Sequence, residues 1–381
     1  MWCRRGTVPV TLKTLFDTST MRKVFAAATL PALASACATD LDCSLNGVCA
    51  GGSCACDKPW GGPSCGVLRY AAASPASGKS LFNISDPRNT WNGPIATGPD
   101  GRFHMYNPVY PHHELLRSTS IMHGVADRVE GPYAWASATP GAPAAGASNP
   151  AFVAYDDPHD ANATKYTLWA GGHVSVAGAP DGPFAPVSGA YASYPGGNPA
   201  PIWHGGAWYL TNQGTTTIWT TPRLGQQPWT VFATVNKTVP AGTNPEDPFM
   251  WVDARGSWHI VNHAYDTSQY ANCSRSTLST HEFSRDGKEW HMLVPNVEPY
   301  GHTVRWDDGS THTYTTLERP NLHFDGSGQL THINLAADLD TGDEGCPDRK
   351  DHCPAFHVHC ACTNCKYYDH AGSIIVALDV A

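Results

Sequence analysis

Two acids stand side by side in Asn-Pro-Glu246-Asp247-Pro, at the head of the run NPEDPFMWVDARGSWHIVNHAY (residues 244–265). A third, Glu318, precedes Arg319 in LERPNLHFD (residues 317–325). Carboxylates brought together can do acid–base work, one giving a proton while another takes one or stays charged. Both groups lead directly into apolar, aromatic runs of the kind that become buried, so their meaning depends on the elements that carry them.

Those elements are short strands. The 381 residues include 36 glycines and 31 prolines and are only 15% charged, a balance that favours turns and strands over long amphipathic helices. A self-similar lead recurs as NPAF from Asn149, NPAP from Asn198 and NPED from Asn244, with a looser copy, NGPI, from Asn92. The intervals among the first three are 49 and 46 residues. After each lead comes an apolar strand, a turn and an aromatic strand: GPDGRFHMY (98–106), ATKYTLWAG (163–171), HGGAWYLTN (204–212) and DARGSWHIV (253–261). FDGSGQLTHI (324–333) offers a fifth copy behind Glu318-Arg319-Pro320. About five units of four strands, at a period near 50, predict an all-β chain folded as a five-bladed β-propeller over residues 85–381. In such a fold the innermost strands line a central funnel, so Glu246, Asp247 and Glu318 are expected to converge on one axis with Asn149 and Asn198. Asp253, in the DARG turn, reads as structural, and the two asparagines also fit a role bonding backbone where each blade begins.

Six cysteines crowd into residues 37–65 with intervening lengths of 5, 5, 4, 1 and 8, and a Gly-rich stretch before the last. That spacing resembles an EGF-like module over residues 37–66. The resemblance implies the pairs Cys37–Cys49, Cys43–Cys54 and Cys56–Cys65, which spacing alone does not fix. A module this small needs such staples. It reads as a spacer, with binding of a protein partner as the alternative, and residues 67–84 are expected to be a linker. A second cluster, Cys346 to Cys365 with Cys273, lies mostly in a Cys-rich insertion at 340–370. HVHCACTNC there has zinc-type ligands in His357 and His359, but disulfides are the expected chemistry.

Ahead of the module, MRKVFAAATLPALASA from Met21 has a basic start, an apolar stretch and a small-residue end, the three parts of a secretory signal peptide. Residues 1–36 are therefore expected to be removed, with Met21 the natural start and the mature protein secreted. They hold five bases and one acid, so their loss takes the net charge from −9 to −13. So acidic a chain, without a basic run, excludes nucleic acid and anionic membranes as partners, and no later segment is apolar and long enough for membrane insertion. Neutral ligands such as carbohydrate fit better. Sequons at Asn83, Asn162, Asn236 and Asn272 are compatible with glycosylation.

The propeller region resembles the five-bladed glycoside hydrolases of families 43 and 32, strongly at 244–265 and 317–325 and weakly elsewhere. The resemblance implies hydrolysis of glycosidic bonds in a pentose- or furanose-containing glycan. Asp247 takes the place of the family's transition-state-stabilising, pKa-tuning aspartate, and Glu318 that of the proton donor. Arg319 would hold a carboxylate or contact substrate, and Trp91 would stack on a sugar ring, with Asn92, Asn149, Asn198 and His263 as further substrate contacts. The families place an aspartate base on the first blade's inner strand. Here that strand reads TWNGPIAT, with Asp86 the nearest acid upstream and Glu246 the other substitute. Loss of the base supports the alternative of a non-catalytic carbohydrate-binding or adhesion propeller. No cofactor is implied. A central cation is possible in these families, and His263, His173 and His123 are the histidines expected to reach the funnel. His259 and His263, about 13 Å apart along one strand, are too far apart to share an ion.

Overall fold

The computed structural model describes residues 37–73, 88–111, 120–138, 149–157, 164–235, 243–266, 277–314, 317–338 and 371–380. The expected signal peptide, the four sequons, Asp86, Cys273 and the insertion at 340–370 all lie outside them. The described residues contain no α-helix, only one 3₁₀ turn at Asp40–Cys43, and none long and apolar enough to cross a membrane.

Five antiparallel sheets follow one another along the chain. Blade one pairs Phe103–Pro111 with two short inner pieces, Arg88–Thr90 and Ile95–Thr97, and continues through Ser120–Ala126 to Ala134–Ala138. Blades two (Ala151–Asp156 to Ala185–Pro186), three (Ala200–His204 to Thr230–Thr234) and four (Thr243–Val252 to His291–Met292) each have four strands in sequence order. Blade five pairs Leu317–Phe324, Leu330–Asp338 and Ala371–Ala377. The second hairpin of blade two turns on Gly171-Gly172 and the inner hairpin of blade three on Gly205-Gly206, with φ of 58° and 81°, and 56° and 82°. Positive φ at both central residues matches the strand twist and keeps these two-residue loops to glycine.

A propeller blade has two faces and no other core to bury them in, so its apolar residues must meet those of the next blade. The packing follows that rule. Tyr106 and Ile121 of blade one meet Tyr166 and Leu168 of blade two, while Trp169 and Val174 of blade two meet Trp208 and Leu210 of blade three. Ala200 and Ile218 then meet Met250, Trp258 and Ile260 of blade four. Trp169 and Trp208 are buried with ring centroids 5.3 Å apart.

The EGF-like module carries the three disulfides Cys37–Cys49, Cys43–Cys54 and Cys56–Cys65. It is not a free spacer: Cys37, Cys43, Trp60 and Cys65 belong to one apolar cluster with Trp251, Tyr300, Leu317 and Ile333 of blades four and five. Nor is Val67–Ala73 a linker. The Ala71 amide donates to Ala377 O at 2.9 Å and the Asp379 amide to Arg69 O at 2.9 Å, with Tyr70 opposite Leu378. Leu378 in turn donates to Thr331 O of the neighbouring strand. Arg69–Ala71 therefore supplies a fourth, outermost strand to blade five, and chain from before blade one seals the last blade. Ala73 continues onto the loop at Arg305–Asp307.

Two outcomes follow from this packing. Ala71→Pro deletes the amide that reaches Ala377, and urea denaturation is expected to show a loss of about 1–3 kcal/mol with an unchanged slope. Burial pushes His123 and His323 down to about 4 and His263 down to about 3, and lowers His259, His281 and His332. The unfolded chain takes up these protons first, so the stability they contribute is complete above about pH 6.5 and drains as pH falls towards the folded values. Each shifted histidine withdraws about 1.4 kcal/mol per pH unit in that window. Chemical denaturation at pH 7.5, 6 and 5 is expected to show a steep decline.

Candidate functional site

One residue in each blade holds a left-handed backbone at the axis: Asn92 (φ 39°), Asn149 (54°), Asn198 (47°), Asp247 (49°) and Arg319 (52°). Proline follows directly in four of them, and after Gly93 in blade one. Asparagine and aspartate tolerate this region best, and a bulky side chain there is strained. The true repeat of blade four is therefore Asp247-Pro248, not Asn244-Pro245. Counted this way, blades two, three and four are spaced by 49 and 49 residues. Blade one needs its extra Gly93 because the strand passes so close that a Cβ would lie 1.7 Å from Tyr106 O.

The five residues bond to one another across the axis. Asn149 Nδ2 donates to Asn198 Oδ1 at 2.6 Å and to Asp247 Oδ1 at 3.1 Å. Arg319 reaches three blades: Nε donates to Asn92 O (3.1 Å), Nη2 to Pro150 O (2.8 Å) and Nη1 to Asp247 Oδ1 (3.4 Å). Asn92 Nδ2 returns bonds to Arg319 O (2.7 Å) and Asn334 O (2.9 Å).

Glu246 and Glu318 each stand one residue before a ring residue, in adjoining blades, and so occupy equivalent places. Between them lies His263, fully buried. Its Nε2 is 3.9 Å from Glu246 Oε2 and 3.8 Å from Glu318 Oε2, and its Nδ1 is 3.8 Å from Asp247 Oδ2. Three carboxylates from two blades thus surround one imidazole, and the facing oxygens of Glu246 and Glu318 lie within about 8 Å of each other. Burial, with the charges of Arg319 and His302, pushes the imidazole down to about 3, so it is neutral at ordinary pH. Its Nδ1 accepts the Arg319 amide at 3.3 Å, which places the remaining ring proton on Nε2, facing the two glutamates. Burial also holds Asp247 above the usual carboxylate range, against the opposing pull of Arg319.

Exposure separates these acids. The side chains of Asp247 and Glu318 are 4% and 2% exposed, whereas that of Glu246 is 19% exposed. Its Oε1 accepts from Asn198 Nδ2 (3.1 Å) and from Gln213 Nε2 (2.6 Å). Glu246 is the most exposed of the three acids and stands beside half-buried Asn149 and Asn198. An axial cavity of about 300 Å³ opens among Asn198, Asp247 and Arg319 of the ring and the strand residues that follow them, walled by Phe152, Trp203, Phe249, Trp251 and Phe324. Pro94, Pro150, Pro199, Pro248 and Pro320 form its collar. The Asp247 carboxylate therefore belongs both to the cluster around His263 and to the wall of this cavity.

The residues expected to contact substrate divide by exposure. Asn149 and Asn198 are half-buried. Asn92 is fully buried and its amide is spent on backbone carbonyls, and Trp91, 5% exposed, presents no face for stacking. Arg319 and His263 are buried and position the carboxylates. Of the three histidines expected in the funnel only His263 reaches it: His123 pairs with His104 inside blade one (2.8 Å), and His173 is exposed at a hairpin turn. Gln213, just beyond a strand of blade three, had no sequence signal. Among the described residues the one group of three ligand atoms within 4.8 Å of each other is Cys37, Cys43 and Cys54, all consumed in disulfides. The possible central cation therefore finds no preformed three-ligand site in the described funnel.

With this geometry in place, comparison with known proteins is informative about fold. Residues 39–67 match the family model of the Teneurin-like EGF domain. A solved glycoside hydrolase aligns at 10% identity with a TM-score of 0.51, over 79% of this chain and 61% of its own. This chain thus spans about three-fifths of that enzyme. Two more distant structures are an endo-arabinase from Bacteroides thetaiotaomicron and a GH43_1 enzyme from Xanthomonas citri. The first aligns at 10% identity, 82% of this chain, 98% of its own and a TM-score of 0.46. The second aligns at 10% identity, 79%, 91% and 0.47. No curated protein matches significantly. The chain is an all-β five-bladed propeller behind an EGF-like module.

The ring makes Arg319 the costliest position to empty. Arg319→Met keeps the side-chain length but strands a buried carboxylate and two backbone carbonyls. Thermal and urea denaturation are expected to show a loss of about 3–5 kcal/mol.

Proposed function

We propose that this chain is a secreted carbohydrate-active propeller that hydrolyses glycosidic bonds at the carboxylate cluster on its axis. The observation that carries the reading is the convergence of Glu246, Asp247 and Glu318 on His263. Glycoside hydrolysis takes two carboxyl groups roughly 5–9.5 Å apart, one to protonate the leaving oxygen and one to activate water or attack the sugar. Glu246 is the base or nucleophile, oriented by Asn198 and Gln213 and the first to meet solvent. Glu318 is the proton donor, and Asp247 tunes the pair and stabilises the positive charge that develops on the sugar. A neutral pentose- or furanose-containing glycan suits a net acidic chain whose accessible polar groups are amides and one carboxylate. Asp86 remains a candidate for the first-blade base. The disulfide-stapled module and the leader-like start support secretion.

One observation favours a second reading. Glu318 and Asp247 are buried and Asn92 occupies the axial position of blade one, which suits a propeller that binds glycan at Glu246, Asn149 and Asn198 without turnover.

Residues 37–381 assayed on aryl glycosides and oligosaccharides separate the two. Hydrolysis is expected, with Glu246→Gln and Glu318→Gln each lowering kcat by about 10²–10⁴-fold while glycan binding by calorimetry persists. Binding by the native chain with no turnover on any substrate replaces the hydrolase with the lectin-like reading.

A further inference from the structure

The EGF-like module meets blade four through a buried stack of four rings. Trp60 of the module lies on His281 (centroids 5.2 Å apart, planes 18° apart). His281 in turn lies 6.0 Å from Trp251, and Trp251 lies 4.8 Å from His259, with planes 8° and 13° apart. The two histidines are also joined edge to edge, His259 Nδ1 to His281 Nε2 at 3.1 Å.

The charged pairs across this seam are exposed. Arg255 pairs with Asp57 at 2.6 Å, but their side chains are 40% and 50% exposed, and Arg285 stands 3.8 Å from Asp40 with both exposed. Such pairs contribute little. Arg255 Nη2 also donates to Leu45 O, and Gln329 Nε2 to Lys58 O at 2.7 Å. Trp60, 6% exposed, shares a buried apolar cluster with Cys37, Cys43 and Cys65 of the module, and it is the aromatic member that rests on an imidazole.

The proton arrangement of that imidazole can be worked out. Asp253 Oδ2 is 3.5 Å from His259 Nε2 and takes its proton. His259 Nδ1 then accepts from His281 Nε2–H. His281 Nδ1 is left as a bare acceptor, buried and with no hydrogen-bond partner among the described residues. The charged groups around the pair are Asp253 and Arg255 on the turn of blade four and Asp57 on the module, and all of them face His259. None of them reaches His281, whose only titrating neighbour is His259.

We propose that this stack is an acid-labile clasp, so that acidification parts the EGF-like module from blade four while blades two and three stay folded. A proton arriving at His281 Nδ1 has no acceptor to meet and puts a charge between two indoles in a dry seam. Attraction of the cation to the indole faces returns less than burial of the charge costs. Opened to water, both imidazoles take protons at their ordinary pKa, about 6.5. The closed seam is therefore intact above about pH 6.5 and loses about tenfold in its closing equilibrium per pH unit, per histidine, below it. Blades two and three carry no buried histidine among their described residues and lack this dependence. The inference does not rest on the chain being an enzyme.

Hydrogen exchange on the full chain, read as protection factors at pH 7.5 and 5.5, tests it. Peptides covering 57–66 and 278–284 are expected to lose about tenfold or more protection beyond whatever peptides covering 164–177 and 207–221 lose through the global decline. His281→Phe, which keeps a ring in the stack but cannot take a proton, is expected to show about tenfold less pH dependence at the seam. Equal loss in all four regions of the native chain, or an unchanged seam at pH 5.5, overturns the clasp without need of the variant. So does a folded His281→Phe protein with the native pH dependence.

Discussion

Arg319 sits where the blades meet, in a backbone region that a long side chain occupies only under strain, and its guanidinium is shared among three other blades. A guanidinium offers five N–H donors in a rigid fork, so it can only be satisfied by acceptors already held at the right angles. Separate apolar clusters join blades one to two, two to three and three to four, and hydrogen bonds join five to one. The ring of Arg319, Asp247 and the three asparagines is what ties all five into one register. Glu246 and Glu318 inherit their positions from it because each is the residue immediately before a ring member.

This inheritance explains why so many acids coexist in so small a volume. Asp247 is opposed by a single cation, and the imidazole wedged among the three carboxylates is neutral and contributes only a dipole. The cluster gains its order from hydrogen bonds with fixed direction: the Arg319 amide onto His263, and the amides of Asn198 and Gln213 onto Glu246. The prolines that follow the ring residues can donate no backbone hydrogen bond and so do not compete for these acceptors.

Much of the architecture was legible because its causes are short-range. Gly-Gly turns, alternating apolar strands and a recurring Asn-Pro produce a period that can be counted along the chain. The register of blade four was not legible. Asn244-Pro245 looks like its predecessors, and only the left-handed φ at Asp247 shows which pair is equivalent. Similarly, Trp91 reads as an aromatic platform until packing buries it, and Asn92 as a ligand contact until Asn334 and Arg319 claim its amide. The segment after the last EGF cysteine has no strong strand pattern. Its pairing with Ala377–Asp379 spans about three hundred residues and leaves no local trace. The disulfide pairing, by contrast, came through resemblance to a module whose cysteine spacing is distinctive.

That pairing of Arg69–Ala71 with Ala377–Asp379 also orders events in time. Emerging from the ribosome, the small module and the segment behind it precede the five blades, yet their partner strand is made only after the other four blades are complete. Contacts of such sequence separation are slow to form, and a propeller lacking its seal presents an open edge. Translation thus holds the chain in a half-closed state until that strand arrives, and the interval before closure is when its open edge invites aggregation.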